Sequence, residues 1–100
     1  MRGWYIDPES RSVEAVEIHS DEDIAKLIGY DTVAADAIDD HDSLHFDEEC
    51  FLRRSAGRFQ LDTLVPVSGK AVIIGRDEQG KIADVTLDEQ GIAARLAYLE

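Results

Sequence analysis

One stretch of the sequence, Asp39 to Cys50, holds most of the side chains that can do chemistry. It reads DDHDSLHFDEEC and supplies carboxylates, imidazoles and a thiol, which are the groups that bind zinc. A zinc site needs three or four such ligands at about 2.0–2.3 Å from the metal. The pattern instead predicts a polar loop followed by a strand, in which Ser43, His45 and Asp47 share a face. Nothing in that spacing makes the ligands converge, so we predict no metal and no other cofactor.

A nucleophilic thiol is the second chemical possibility in this stretch. Cys50 with His41 or His45 as its base would form the catalytic pair of a cysteine-dependent enzyme. The apolar residues Phe51 and Leu52, which follow Cys50, predict a buried and unreactive thiol instead. We therefore predict a protein without catalytic residues. The alternative is a small metal- or cysteine-dependent enzyme centred on His41, His45 and Cys50.

The net charge of -12 is distributed unevenly along the 100 residues. Residues 1–50 hold 15 acids and 3 bases, whereas residues 51–100 hold 7 of each. Nucleic acids and anionic membranes attract lysine and arginine and repel carboxylates. We therefore expect the partner to be another protein with a basic surface, and neither a nucleic acid nor a membrane.

The excess charge is densest from Asp31 to Glu49, which contains eight acids and no lysine or arginine. Carboxylates spread along one surface can imitate the phosphates of duplex DNA, which makes an acidic DNA-mimic inhibitor one alternative. The plainer interpretation is a solvated face that keeps the protein in solution. The candidate partner-binding residues are Asp36, Asp39, Asp40, Asp42, Asp47, Glu48 and Glu49. The bases Arg53, Arg54 and Arg58 are expected to pair with the last three of these acids.

Features of the whole chain predict its compartment. There is one cysteine, no stretch of the roughly 20 apolar residues needed to span a bilayer, and no apolar signal core near the first residues. A single cysteine cannot form an intramolecular disulfide, and a reducing compartment is then the default. We expect a soluble cytoplasmic protein.

The elements that must position these residues begin with an N-terminal hairpin. Its strands are predicted from the aromatic run Trp4–Ile6 and from the alternation of Ser12–Ile18, with turn residues between them. Ser20 as an N-cap and Gly29 as a terminator predict a short helix near 21–28.

The middle of the chain is less regular. Residues 32–38 fit either a strand or an alanine-rich helical turn, and we favour the strand. Residues 44–46 and 50–52 flank Asp47, Glu48 and Glu49 in the manner of a second hairpin.

The string DEQG occurs twice, at 77–80 and at 88–91, and we interpret the two copies differently. The first follows the apolar run Ala71–Ile74 and predicts a hairpin turn, with Gly80 at positive φ and a strand continuing through residues 81–87.

The second copy predicts the start of a C-terminal helix near 87–98. Thr86 and Glu89 have the spacing of a capping box, and an apolar stripe follows at Ile92, Leu96 and Leu99. Together the elements predict one α+β domain over residues 1–100, with a mostly antiparallel sheet built from hairpins, the short helix and the C-terminal helix.

Two segments also resemble a family of small uncharacterised proteins carried by phages, plasmids and bacterial accessory DNA. They are Leu44–Glu49, and Val67–Gly75 followed by Asp77–Gly80. The resemblance implies an accessory role on mobile elements and no known enzymatic activity. The expected function is therefore that of a small acidic, non-enzymatic accessory protein that acts as a protein-interaction module.

Overall fold

The computed structural model describes residues 1–53 and 56–99. In chain order the strands are β1 (Arg2–Asp7), β2 (Ser12–Glu17), β3 (Val33–Ala37), β4 (Asp42–Asp47), β5 (Arg58–Leu61), β6 (Val67–Ser68), β7 (Ala71–Arg76), β8 (Ile82–Ala83) and β9 (Leu96–Leu99). The helices are α1 (Asp21–Ile28) and α2 (Glu89–Arg95), and Cys50–Leu52 forms one turn of 3₁₀ helix. None of the helices in the described residues is long and apolar enough to cross a membrane.

The strands form two antiparallel sheets. The main sheet has the order β2-β1-β7-β4-β3, and β8 pairs with the end of β7. The smaller sheet has the order β6-β5-β9. This arrangement confirms the predicted α+β class and the mostly antiparallel pairing, including the N-terminal hairpin β1–β2 and the strand assignment of β3.

Helix α1 forms where the sequence predicts it, because both of its ends are satisfied locally. The Ser20 side chain accepts a hydrogen bond from the backbone N–H of Asp23, and the Gly29 N–H donates to the carbonyl of Ala25 at 2.8 Å. Gly29 has a φ of 94°, which a glycine adopts without strain. Ile24 and Ile28 are buried against one face of the main sheet.

The other face of the main sheet carries the larger part of the core. Strands β1, β4 and β7 direct apolar side chains to this face, among them Trp4, Ile6, Leu44, Phe46 and Ile73. The small sheet and α2 cover them with Phe59, Leu61 and Ile92. Strand β7 is thereby covered on both faces, and every residue from Ala71 to Gly75 is buried. Its continuous apolar run is explained by this double covering.

The predicted second hairpin is wrong. Strand β4 pairs with β3 on one side and β7 on the other, which leaves no free edge for residues 50–52. The Asp47 side chain also turns the chain, because it accepts a hydrogen bond from the backbone N–H of Glu49 at 3.1 Å. Residues 50–52 consequently form the 3₁₀ turn.

The first DEQG copy is a turn, as predicted. Gly80 has a φ of 79°, its N–H donates to the carbonyl of Asp77, and the Asp77 N–H donates to the carbonyl of Lys81, both at 2.9 Å. The strand after the turn is shorter than predicted, since β8 ends at Ala83.

The C-terminal helix differs from the prediction at both ends. Its N-cap is Asp88, whose carboxylate accepts from the N–H of Gly91 at 2.7 Å, and not Thr86. The helix stops at Arg95, where the carbonyl accepts from the N–H of Asp62 at 2.9 Å and starts the pairing of β9 with β5. Residues 96–99 are therefore a strand, because β5 offers an unpaired edge that extends the small sheet.

Candidate functional site

The seven predicted partner-binding acids do not form one surface. Asp42 is fully buried, and its carboxylate accepts hydrogen bonds from three donors in the segment that leads into α2. Thr86 donates its backbone N–H at 2.9 Å and its hydroxyl at 2.8 Å, and Leu87 donates its N–H at 2.8 Å. Asp42 thus fastens the segment before α2 to the main sheet and is not free to meet a partner.

Asp47 is also an internal residue, with 3% of its surface exposed. It accepts hydrogen bonds from the Thr32 hydroxyl, the Glu49 N–H and, at 3.0 Å, from Nε of Arg53. Burial alone would raise the pKa of Asp47, but the hydrogen bonds from Thr32 and Arg53 outweigh it and lower the pKa below its usual value. The predicted pairing of Arg53 with this cluster is confirmed, and it extends to Glu49 at 3.3 Å. Arg54 lies outside the described residues.

The remaining acids lie around the hairpin β3–β4. Asp36 is half-buried within β3, and Glu48 and Glu49 are exposed beyond the end of β4. Asp39 and Asp40 are exposed in the turn that joins the two strands.

Asp39 also stabilises the conformation of this turn through hydrogen bonds to the backbone. Its carboxylate accepts from the backbone N–H groups of Asp42 at 2.7 Å and His41 at 2.8 Å, and these bonds lower the pKa of Asp39. The carboxylate therefore stays ionised at the tip of the hairpin.

Strand β3 is an edge of the main sheet, and half of its backbone groups point outward. The Glu48 N–H donates to the Thr32 carbonyl at 2.6 Å, and the Ile38 N–H donates to the Asp42 carbonyl at 2.9 Å. Because successive residues of a strand alternate in direction, the N–H and C=O groups of Val33, Ala35 and Ala37 point away from β4. No strand of the described residues pairs with them.

The surroundings of this edge are acidic. Asp31 lies just before β3, and Asp39 and Asp40 follow it. The arginines near this edge, Arg53 and Arg76, are engaged in ion pairs with other acids. The opposite edge, β2, also carries two exposed acids, Glu14 and Glu17, but Glu17 pairs with the N-terminal amine at 2.9 Å and Arg11 precedes the strand.

The residues of the enzyme alternative are not brought together. His41 contacts the carbonyl of Asp84 through Nε2 at 2.9 Å, in the turn after β3. Cys50 is buried, as predicted, and it lies in the core on the side of Leu44. His45 alternates with Leu44 and therefore faces α1. Within residues 1–53 and 56–99, no three His, Cys, Asp or Glu side chains are placed to hold a metal ion.

His45 is nevertheless unusual. Its side chain is 5% exposed, and Nε2 has no hydrogen-bond partner among the described residues. Burial and, to a smaller extent, the charge of Arg76 lower the pKa of His45 to about 4, with Asp21 acting in the opposite direction. The imidazole is therefore neutral at pH 7, with one polar atom unsatisfied.

A groove of ≈ 330 Å³ lies between α1 and β3, and His45 forms part of its lining. Asp21, Ala25, Asp31, Ala35 and Arg76 also line this groove. Arg76 and Asp21 form an ion pair of 2.7 Å. Strand alternation predicted that His45 shares a face with Ser43 and Asp47, but it gave no sign of the groove, because the covering by α1 depends on tertiary packing.

No protein-family model, curated protein or solved structure matches this chain, so the resemblance to proteins of accessory DNA stays a prediction.

Proposed function

We propose that this protein is a non-enzymatic accessory module that binds an extended, basic segment of another protein along the outer edge of β3. The observation that carries the proposal is the combination of an unpaired strand edge with an acidic surround. An incoming strand would satisfy the outward N–H and C=O groups of Val33, Ala35 and Ala37 and so extend the main sheet.

The composition of β3 favours this mode of binding. Its sequence is VAADA, without proline, lysine or a bulky side chain that would block the approach of another backbone. Ala35 and Ala37 are exposed, so an incoming strand meets little steric resistance at this edge.

Charge selects the kind of partner. A second copy paired antiparallel around Ala35 would place Asp31 opposite Asp39, and like charges directly opposite each other are destabilising. A segment with lysine or arginine instead gains attraction at both ends of β3. The DNA-mimic alternative is weaker, because Asp42 and Asp47 are engaged inside the protein.

The test is a binding titration with an octapeptide of alternating lysine and threonine. We expect salt-sensitive binding, weakening as ionic strength rises, because the attraction is between exposed charges. The Ala35→Pro variant should lose binding, since proline removes an outward N–H and places its ring at the edge.

Ala15→Pro is the matched control. Ala15 is exposed on β2. The Ile18 N–H donates to the Met1 carbonyl at 2.7 Å, and because backbone groups alternate along a strand, the N–H of Ala15, three residues earlier, points away from β1. This variant should bind the peptide as the unmodified protein does. Equal binding by Ala35→Pro, or binding that ignores salt, would contradict the proposal.

A further inference from the structure

The groove beside β3 has a specific geometric relation to the proposed binding edge. Side chains of Val33, Ala35 and Ala37 face α1, on the same side of the sheet as His45. A residue hydrogen-bonded directly opposite Ala35 on an added strand would also face α1. Its side chain would enter the groove across the small methyl group of Ala35.

We propose that this groove receives one lysine or arginine side chain of the bound segment, with its charged head between Asp31 and His45. This inference rests on the proposed function and adds a specificity pocket to it.

The reach required favours a long side chain. Neighbouring strands are about 4.8 Å apart, so the added strand lies about 10 Å from β4, which carries His45. A short side chain would stop above Ala35. A lysine or arginine extends across the strand to the floor of the groove, while its apolar stem packs between Ala25 and Ala35.

The charges of the groove favour a cation. Asp21 and Arg76 neutralise each other, and Asp31 makes no ion pair within the described residues. His45 contributes no charge, since it is neutral. The groove therefore carries one net negative charge, which a lysine or arginine head would balance.

The unpaired nitrogen of His45 is closed to solvent in the unbound protein, and it becomes a hydrogen-bonding partner for that head when the imidazole turns towards the groove. With the proton on Nδ1, Nε2 of a neutral imidazole is an acceptor. Lysine and arginine carry only donors in their heads. A buried polar atom without a partner is rare in proteins, and a donor supplied by a ligand would account for it here.

The test varies one residue of a host peptide, an octapeptide of threonine with lysine at both ends. Its fourth residue is lysine, arginine, norleucine or glutamate. We expect lysine and arginine to bind about tenfold more tightly than norleucine, which has the four-carbon stem of lysine without its ammonium group; tenfold corresponds to one added charged hydrogen bond. Glutamate should bind most weakly.

Two substitutions in β3 test binding in the groove without blocking the strand edge. Ala35→Leu fills the groove and should abolish the preference for lysine over norleucine. Ala37→Leu adds the same side chain on the same face but outside the groove, and should retain the preference. His45→Leu should reduce the preference while leaving the protein folded.

The outcomes distinguish the two proposals. If all four peptides bind equally and Ala35→Pro still prevents binding, the edge function stands and the pocket is refuted. If no peptide binds, both proposals fail. An unchanged preference for lysine in Ala35→Leu would also refute the pocket.

Discussion

The carboxylate of Asp42 binds the backbone N–H and the hydroxyl of Thr86, which lies 44 residues further along the chain. This contact joins the main sheet to the segment that leads into α2. It also occupies the side chain that the capping-box prediction assigned to the helix start.

Replacing Asp42 by alanine should lower the free energy of unfolding by about 3 kcal/mol, because the donors of Thr86 and Leu87 would lose their acceptor. Urea denaturation measures the change. Asp40→Ala, at an exposed position in the same turn, should stay within about 0.5 kcal/mol of the unmodified protein. Similar losses in both variants would contradict the structural role of Asp42.

His45→Leu should raise the free energy of unfolding at pH 7 by about 1–2 kcal/mol. The substitution removes a buried polar atom without a partner and replaces it with an apolar side chain of similar size. Thermal and urea unfolding would both detect the gain. A less stable variant would show that Nε2 makes a favourable interaction in the folded protein.

His45 also predicts a pH dependence. Its folded pKa of about 4 lies below the ordinary value of 6.5, so between these values the unfolded chain binds a proton that the folded protein does not. The contribution of His45 to the free energy of unfolding should be fully present above pH 6.5. It should be lost as the pH is lowered towards 4, by at most about 3 kcal/mol. The neighbouring charges are Asp21, Asp31 and Arg76.

The control for this prediction is the His45→Leu variant, measured by urea denaturation at several values between pH 7 and pH 4. The part of the slope that comes from His45 should disappear, while contributions from other groups persist. Identical slopes in the two proteins would refute the assignment to His45.

The end of α2 can be tested with two exposed alanines. Ala97→Val should stabilise the protein by a few tenths of a kcal/mol up to about 1 kcal/mol, because Ala97 lies in β9 and valine favours strands. Ala93→Val should destabilise it by about 0.5 kcal/mol, because Ala93 lies in α2. If both substitutions were destabilising, the expected difference between the two alanines would be contradicted.

Local signals in the sequence predicted those elements whose ends are determined by neighbouring residues. Ser20 and Gly29 define α1, and Gly80 defines the turn after β7, because each acts through contacts within a few residues. The C-terminal strand was missed, since the spacing of Leu96 and Leu99 also fits a helix and only the distant strand β5 decides between them.

The same distinction applies to the candidate site. The acidic character of residues 31–49 was evident from composition, but the burial of Asp42 and Asp47 depends on Thr86 and Arg53. The roles proposed for Asp31 and Ala35 had no signal in the sequence, because they follow from the position of β3 at the edge of the sheet.

The central position of β7 constrains how the chain can fold during synthesis. The β1–β2 and β3–β4 hairpins each consist of neighbouring segments, so each can form early, but within the main sheet both pair with Ala71–Arg76, which is made later. Until this strand has left the ribosome tunnel, the two hairpins of a nascent chain cannot pair into one sheet. Strand pairs that are far apart in sequence form slowly. The excess of carboxylates in residues 1–50 would meanwhile keep the incomplete chains from associating with one another.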